Sequence, residues 1–294
     1  MPLRPLLFAA LVAAPLATTC AAEAAAAPAT GATFTAGIEY ANPADQHLKL
    51  DLAMPVGAGP FPAVICIHGG GFRAGTREGY DGFCKTLAAA GYVAATITYR
   101  LAPAHPFPAA VQDCKAAVRW LRAHAAEYHV DPARIGATGD SAGGHLALFL
   151  GVTAGLKQFE GQENLDQSSA VTCVVDRYGP SDFTRVYGKS VDAAEVLPLF
   201  FGGDLKTRLH EHIVGSPLSW ITPDAAPTLC IHGTADPYVP FEQSVWAVER
   251  FLACGVQAEL LTIPGGKHGF GGADAEKAQQ GALAFFAAHL HPGQ

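Results

Sequence analysis

A chain of 294 residues, half of it hydrophobic and only 15% charged, is long enough to bury a substantial core in one large α/β domain or two small ones. Its formal net charge of −7 leaves no electrostatic footprint for nucleic acid. Beyond the N-terminal leader no run reaches the roughly 18 uninterrupted apolar residues that a membrane span needs, so stable membrane insertion is not expected.

The chain opens with a positive charge at Arg4, an apolar run from Leu6 to Leu16 and small residues from Ala17 onward. That order has the form of a secretory signal peptide over residues 1–24, with cleavage expected between about residues 20 and 27. A lipoprotein anchor on Cys20 is the rival reading, although Ala17-Thr18-Thr19 makes a poor lipidation box. Export would place the mature chain outside the cell or in the periplasm. Residues 25–33, rich in alanine with Pro28 and Gly31, read as a linker, and residues 34–292 as a single catalytic domain.

Strand-like runs follow near 34–40, 47–54, 62–67, 92–98, 134–138, 171–177, 227–232 and 257–263, with helical periodicity between most of them, as in 80–90 and 107–126. Strands alternating with helices predict an α/β fold with a mostly parallel sheet of about eight strands, opened by antiparallel strands that have no helix between them. The stretch 182–223 is too long for an ordinary connection and reads as a lid-like insertion. Its Phe183, Tyr187, Leu197, Leu199, Phe200, Phe201 and Trp220 offer apolar surface either for a substrate pocket or for burying the insertion itself.

Four of the strand-like runs end in loops that carry chemistry. After Ala63–Ile67 comes His68-Gly69-Gly70-Gly71-Phe72, whose glycines let backbone amides approach a ligand. After Ala133–Thr138 comes Gly139-Asp140-Ser141-Ala142-Gly143-Gly144, a GxSxG string between a strand and an apolar helix, which is the context of a nucleophile elbow. The small residues two before and two after Ser141 permit the strained turn. The Ala142 amide and the helix start then face the same volume as the serine hydroxyl. We assign an oxyanion hole to the amides of Gly70, Gly71 and Ala142, with His68 as a structural brace.

A serine nucleophile needs a base, and the base an orienting acid. Asp236 lies in a loop after the apolar run 227–231, and His268 in a loop after 258–262. The order Ser141, Asp236, His268 is that of the hydrolase elbow motif. His145 lies a turn along the helix from Ser141, His232 ends a strand beneath the Asp236 loop, Asp140 should point away from the serine, and Asp224 looks like a turn former. Phe72 and Phe270 flank the proposed catalytic loops and are the candidate substrate contacts.

Together HGGGF, Tyr99-Arg100-Leu101-Ala102-Pro103, GDSAGGHLA, Tyr178-Gly179-Pro180-Ser181-Asp182-Phe183, HGTADPYVP and GGKHGF resemble the α/β-hydrolase esterases of the hormone-sensitive-lipase-like group. Within it the chain looks most like the feruloyl-esterase and acetylxylan-esterase-like, or BD-FAE-type, members. The resemblance implies hydrolysis of carboxylic esters through an acyl-serine, with acetyl or feruloyl groups on plant polysaccharide, or small soluble esters, as substrates. Ala104 departs from the group, which usually has a glutamate there. An amide-cleaving hydrolase, either a formamidase or a peptidase, and a catalytically silent binding protein are the alternatives.

No cofactor is called for by this chemistry, and no CxxC or HExxH pattern suggests a metal. Of seven cysteines, Cys20 falls in the leader. Cys66, Cys173 and Cys230 lie in strand-like runs and Cys84, Cys114 and Cys254 in helices, which predicts mostly free buried thiols. Nothing in the sequence sets the oligomeric state.

Overall fold

The computed structural model describes residues 31–291; the expected leader, its cleavage site and Cys20 lie outside the described residues. Among these residues eight strands form one sheet: β1 (Ala32–Ala41), β2 (Leu48–Pro55), β3 (Phe61–Ile67), β4 (Val93–Ile97), β5 (Val130–Asp140), β6 (Val174–Arg177), β7 (Thr228–Gly233) and β8 (Ala258–Ile263). Their spatial order is β1-β2-β4-β3-β5-β6-β7-β8. The β1–β2 and β2–β4 pairs are antiparallel and all others parallel, as the alternating pattern predicts. Pairing of Ala32 with Pro55 and Thr33 with Met54 puts the end of the expected linker inside β1.

Among the described residues seven α-helices accompany the sheet: α1 (Asp81–Ala89), α2 (Ala109–Ala123), α3 (Ala142–Val152), α4 (Ala193–Phe201), α5 (Leu209–Val214), α6 (Glu242–Ala253) and α7 (Gly272–Leu290). Successive strand residues point to opposite faces, and both faces here are covered. Ala63, Ile65 and Ile67 of β3 join one apolar cluster with α2, α3 and α6 residues such as Val118, Leu148 and Phe251. Val64 and Cys66 join another, with Leu87 of α1 and Phe286 of α7. Double coverage is why the central strands read as unbroken apolar runs. Helix α3 is buried along its whole length, so its sequence shows no polar face.

Parallel register aligns the strand ends that matter. Ile67 pairs with Gly139, Gly139 with Asp176, Asp176 with Cys230, and Gly233 with Ile263. The loops after β3, β5, β7 and β8 therefore leave the sheet along one carboxyl edge, where open α/β sheets carry their ligands. The insertion 182–223 holds α4, α5 and two 3₁₀ turns above that edge. Cys66, Cys84, Cys114, Cys173 and Cys230 are buried free thiols, and Cys254 is a half-buried one.

Candidate active site

Ser141 stands at the β5–α3 junction with φ +54° and ψ −119°, a backbone conformation that non-glycine residues hold only when their surroundings impose it. The surroundings do so from both sides. The Ser141 amide donates to the Arg177 carbonyl at 2.8 Å, and its own carbonyl accepts from the His145 amide at 3.0 Å. A Cβ on Gly139 would lie 2.3 Å from the Gly143 carbonyl carbon, and a Cβ on Gly143 would lie 2.0 Å from the Ile67 carbonyl oxygen. The elbow is thus pressed against the end of β3.

His268 Nε2 lies 2.9 Å from Ser141 Oγ, and His268 Nδ1 lies 2.7 Å from Asp236 Oδ2. A continuous relay runs from hydroxyl through imidazole to carboxylate across three separate loops. Asp236 Oδ1 accepts from the amides of Tyr238 at 2.8 Å and Val239 at 3.0 Å. Burial opposes its charge, yet hydrogen bonds from His232, His268 and the Val239 amide outweigh that and hold the carboxyl well below the ordinary range. His232 is itself fixed by Ser244 Oγ at 2.7 Å and the Val239 carbonyl at 3.0 Å, so it underpins the Asp236 loop.

The second wall is the glycine loop. Gly70 and Gly71 take φ of +111° and +60°. Their amides and that of Ala142 find no acceptor among the turn, loop and cap hydrogen bonds of the described residues, and all three residues line the cavity that holds Ser141 and His268. His68 does not reach the serine. It stacks on Tyr99 at 4.3 Å, and its Nδ1 lies 2.7 Å from the Gly69 carbonyl. Asp140 lines the same cavity, and its Oδ1 accepts from the Gly69 amide at 3.1 Å. The β3–β5 register already places Asp140 beside that loop.

The cavity encloses ≈ 400 Å³. Phe183, Val186, Val196 and Leu197 of the insertion form a buried apolar wall, and Ser190, Asp192 and Tyr238 line it as well. One sequence expectation changes here. Phe270 is not among the lining residues: past Gly269, at φ +93°, its ring sits edge-on to Tyr178 at 5.2 Å and packs on the apolar cluster under α7. Phe72 lines the cavity, its ring buried flat on Phe200 at 3.8 Å and with His145 edge-on at 5.2 Å. Of the insertion aromatics, Phe183 reaches the cavity, Phe200 and Phe201 fill the core, Tyr187 hydroxyl meets His212 Nε2 at 2.8 Å, and Trp220 donates to the Val214 carbonyl at 2.7 Å.

Residues the sequence reading left out include Tyr178, whose ring lies 4.9 Å from that of His268, and Tyr238 at 5.2 Å on the same imidazole. Tyr238 could have been found, since it stands two residues after Asp236 in the same loop. His145 is wholly buried among Phe149 and Phe183, and burial pushes its pKa down to about 3. No group of three or more His, Cys, Asp or Glu side chains among the described residues converges to hold a metal ion, and no described helix is long and apolar enough to cross a membrane.

Beneath the elbow, Asp176 of β6 accepts from the Gly179 amide at 2.8 Å, and its second oxygen is buried without a partner. Burial raises its pKa to about 7 against the opposing Gly179 amide and Cys230 thiol. The folded carboxyl keeps its proton up to about pH 7, whereas the unfolded one releases it near 3.8. Its contribution to stability is therefore full below the unfolded value and declines as pH rises toward 7, by about 4 kcal/mol. Asp176→Asn should flatten the fall in melting temperature between pH 4 and pH 7.5; equal slopes in parent and variant would refute the assignment.

The sheet order, the strained elbow after β5 and the aspartate and histidine placed after β7 and β8 are those of the α/β-hydrolase fold. The BD-FAE family pattern matches residues 50–251, more than two-thirds of the chain, and the chain belongs to that family. The match takes in Ser141 and Asp236 but ends before His268, whose place rests on the geometry above. Esterase LipC of Mycobacterium tuberculosis is 34% identical over 218 residues, 72% of this chain and 53% of LipC. The chain spans about half the length of the curated relatives it matches. Among solved structures, a truncated carbohydrate esterase from gut microbiota superposes with a TM-score of 0.77 at 29% identity, covering 88% of this chain and 96% of that one. Esterase 2 of Thermogutta terrifontis, bound to butyrate, gives 0.75 at 29%, covering 90% and 97%; the same esterase is also described as phosphonylated by sarin.

Proposed function

We propose that this chain is a serine carboxylesterase that hydrolyses short-chain or polysaccharide-linked esters of the acetyl or feruloyl type, and that it works outside the cell or in the periplasm. One observation carries the reading: the unbroken relay of 2.9 and 2.7 Å from Ser141 through His268 to Asp236 opens into a cavity with an apolar wall. A silent binding protein has no need of a strained serine backbone held at both ends. The butyrate and sarin forms of the T. terrifontis esterase and the carbohydrate esterase named among the neighbours support the reaction and the substrate class. The leader-like residues 1–24 support export.

In the reaction so read, His268 Nε2 takes the Ser141 proton as Oγ attacks the ester carbonyl carbon. The tetrahedral oxyanion is held by the amides of Gly70, Gly71 and Ala142, worth about a hundredfold to a thousandfold per donor. Ionised Asp236 fixes the Nδ1–H tautomer and stabilises the imidazolium. The C–O bond to the alcohol breaks as His268 returns its proton to the leaving oxygen. Water, deprotonated by the same imidazole, then releases the acid and restores Ser141.

The test is a panel of p-nitrophenyl acetate, butyrate and octanoate with methyl ferulate, run before and after treatment with a phosphonate ester. The expected result is turnover that disappears in step with addition of one phosphonyl group, mapped by mass spectrometry to Ser141. Turnover that survives full modification of Ser141, or no turnover on any ester, would overturn the reading.

A further inference from the structure

The two ends of the cavity differ in exposure. Phe183, Val186, Val196 and Leu197 are 1–6% exposed, whereas Tyr238, which lines the same cavity, is 45% exposed. The Val191 amide donates to the Pro237 carbonyl at 3.0 Å, tying the insertion to the loop that carries Asp236 and Tyr238. Tyr238 is the partner of His268 on this side, ring to ring at 5.2 Å. Next to it in the cavity lining are Ser190 and Asp192, joined by a bond of 3.0 Å from Ser190 Oγ to Asp192 Oδ1, which leaves Asp192 Oδ2 free of any hydrogen bond among the described residues. Nearby Arg73 is already paired with Glu195 at 2.5 Å.

We propose that this rim is the site of the alcohol half of the ester, and that it takes a hydroxylated pyranose ring: Tyr238 is the platform on which the ring stacks, and Asp192 accepts hydrogen bonds from its hydroxyls. The inference rests on the esterase reading above and assigns two residues, Tyr238 and Asp192, to the sugar side of its polysaccharide-linked esters. His268 must hand its proton to the leaving oxygen, so the alcohol lies on the His268 side. An alcohol that is part of a polymer cannot enter a buried pocket, so its recognition falls to exposed groups. An aromatic face beside a carboxylate suits a sugar, whose C–H faces are apolar and whose edges are hydrogen-bond donors. The carboxylate also disfavours an anionic alcohol.

The experiment compares kcat/KM for ethyl acetate with that for an acetylated methyl β-D-xylopyranoside. In Tyr238→Ala and in Asp192→Ala the pyranoside should lose about tenfold more than ethyl acetate, mainly through KM. Tyr238→Phe should recover the preference, because it keeps the ring face. Equal losses on both substrates, or no loss on the pyranoside, would overturn the assignment. A second measurement needs no turnover: saturation-transfer NMR of methyl β-D-xylopyranoside on the Ser141→Ala chain, with and without Tyr238→Ala. Transfer that disappears with Tyr238 supports the site; transfer that persists, or is absent from both, sinks it. The esterase reading stands or falls separately, on Ser141-dependent turnover of ethyl acetate.

Discussion

Ser141→Ala and His268→Ala are each expected to reduce kcat on p-nitrophenyl acetate by on the order of a millionfold, and the double variant by little more. The reason is the single hydrogen bond of 2.9 Å between Oγ and Nε2: in the proposed reaction nucleophile and base act as one unit, so losing either leaves the other with nothing to do. What remains is catalysis by the oxyanion hole and by binding. Asp236→Ala should cost less, on the order of ten-thousandfold, because the imidazole and the serine survive and lose their orientation. Single-turnover kinetics on the four variants, with melting curves to show that each is folded, would check this. A double variant whose loss equals the product of the single losses would mean that the two residues act independently, and the relay would have to be abandoned.

Much of this fold is legible because its chemistry is local. Six of the eight strands lie within two residues, at both ends, of the apolar runs that predict them, and the two exceptions are instructive. Strand β5 runs from Val130 to Asp140, where Asp131-Pro132 reads as a boundary. Strand β6 begins at Val174 rather than Val171, because Thr172 and Cys173 bond to β5 outside the regular ladder, at Ile135 and Ala137. The motifs Gly139–Gly144, His68–Phe72 and the loops of Asp236 and His268 are legible for the same reason: each is a short string whose backbone needs are written in its own glycines. Parallel register does the rest, and alternation implies that register. Side-chain direction in loops is different. Phe270 and Tyr238 each stand two residues from a relay member, and the sequence treats them alike. Packing decides that Phe270 goes under α7 and Tyr238 to the mouth, through a positive φ at Gly269 and a tie between Val191 and Pro237 formed by residues more than 40 positions apart.

Gly143→Ala is expected to remove activity and to lower stability by more than about 3 kcal/mol, a drop of roughly 10 °C in melting temperature for a domain of this size. Most Gly→Ala changes in a helix stabilise by reducing the freedom of the unfolded chain, so the direction must come from contact. An added Cβ would meet the Ile67 carbonyl oxygen at 2.0 Å and the His68 carbonyl oxygen at 2.7 Å. Both obstacles are backbone at the end of β3, with no flexible side chain to yield. Relief requires α3 to move away from β3, and that motion carries the Ala142 amide away from those of Gly70 and Gly71, so the oxyanion hole opens as the elbow loosens. Gly82 on α1 is the matched control, because a Cβ there meets nothing within 4 Å; Gly82→Ala should hold or raise the melting temperature by the equivalent of about 0.5–1 kcal/mol and leave kcat alone. A Gly143→Ala chain with parental melting temperature and turnover would show that the elbow and the glycine loop are not in contact, and would separate two features on which the proposed reaction depends together.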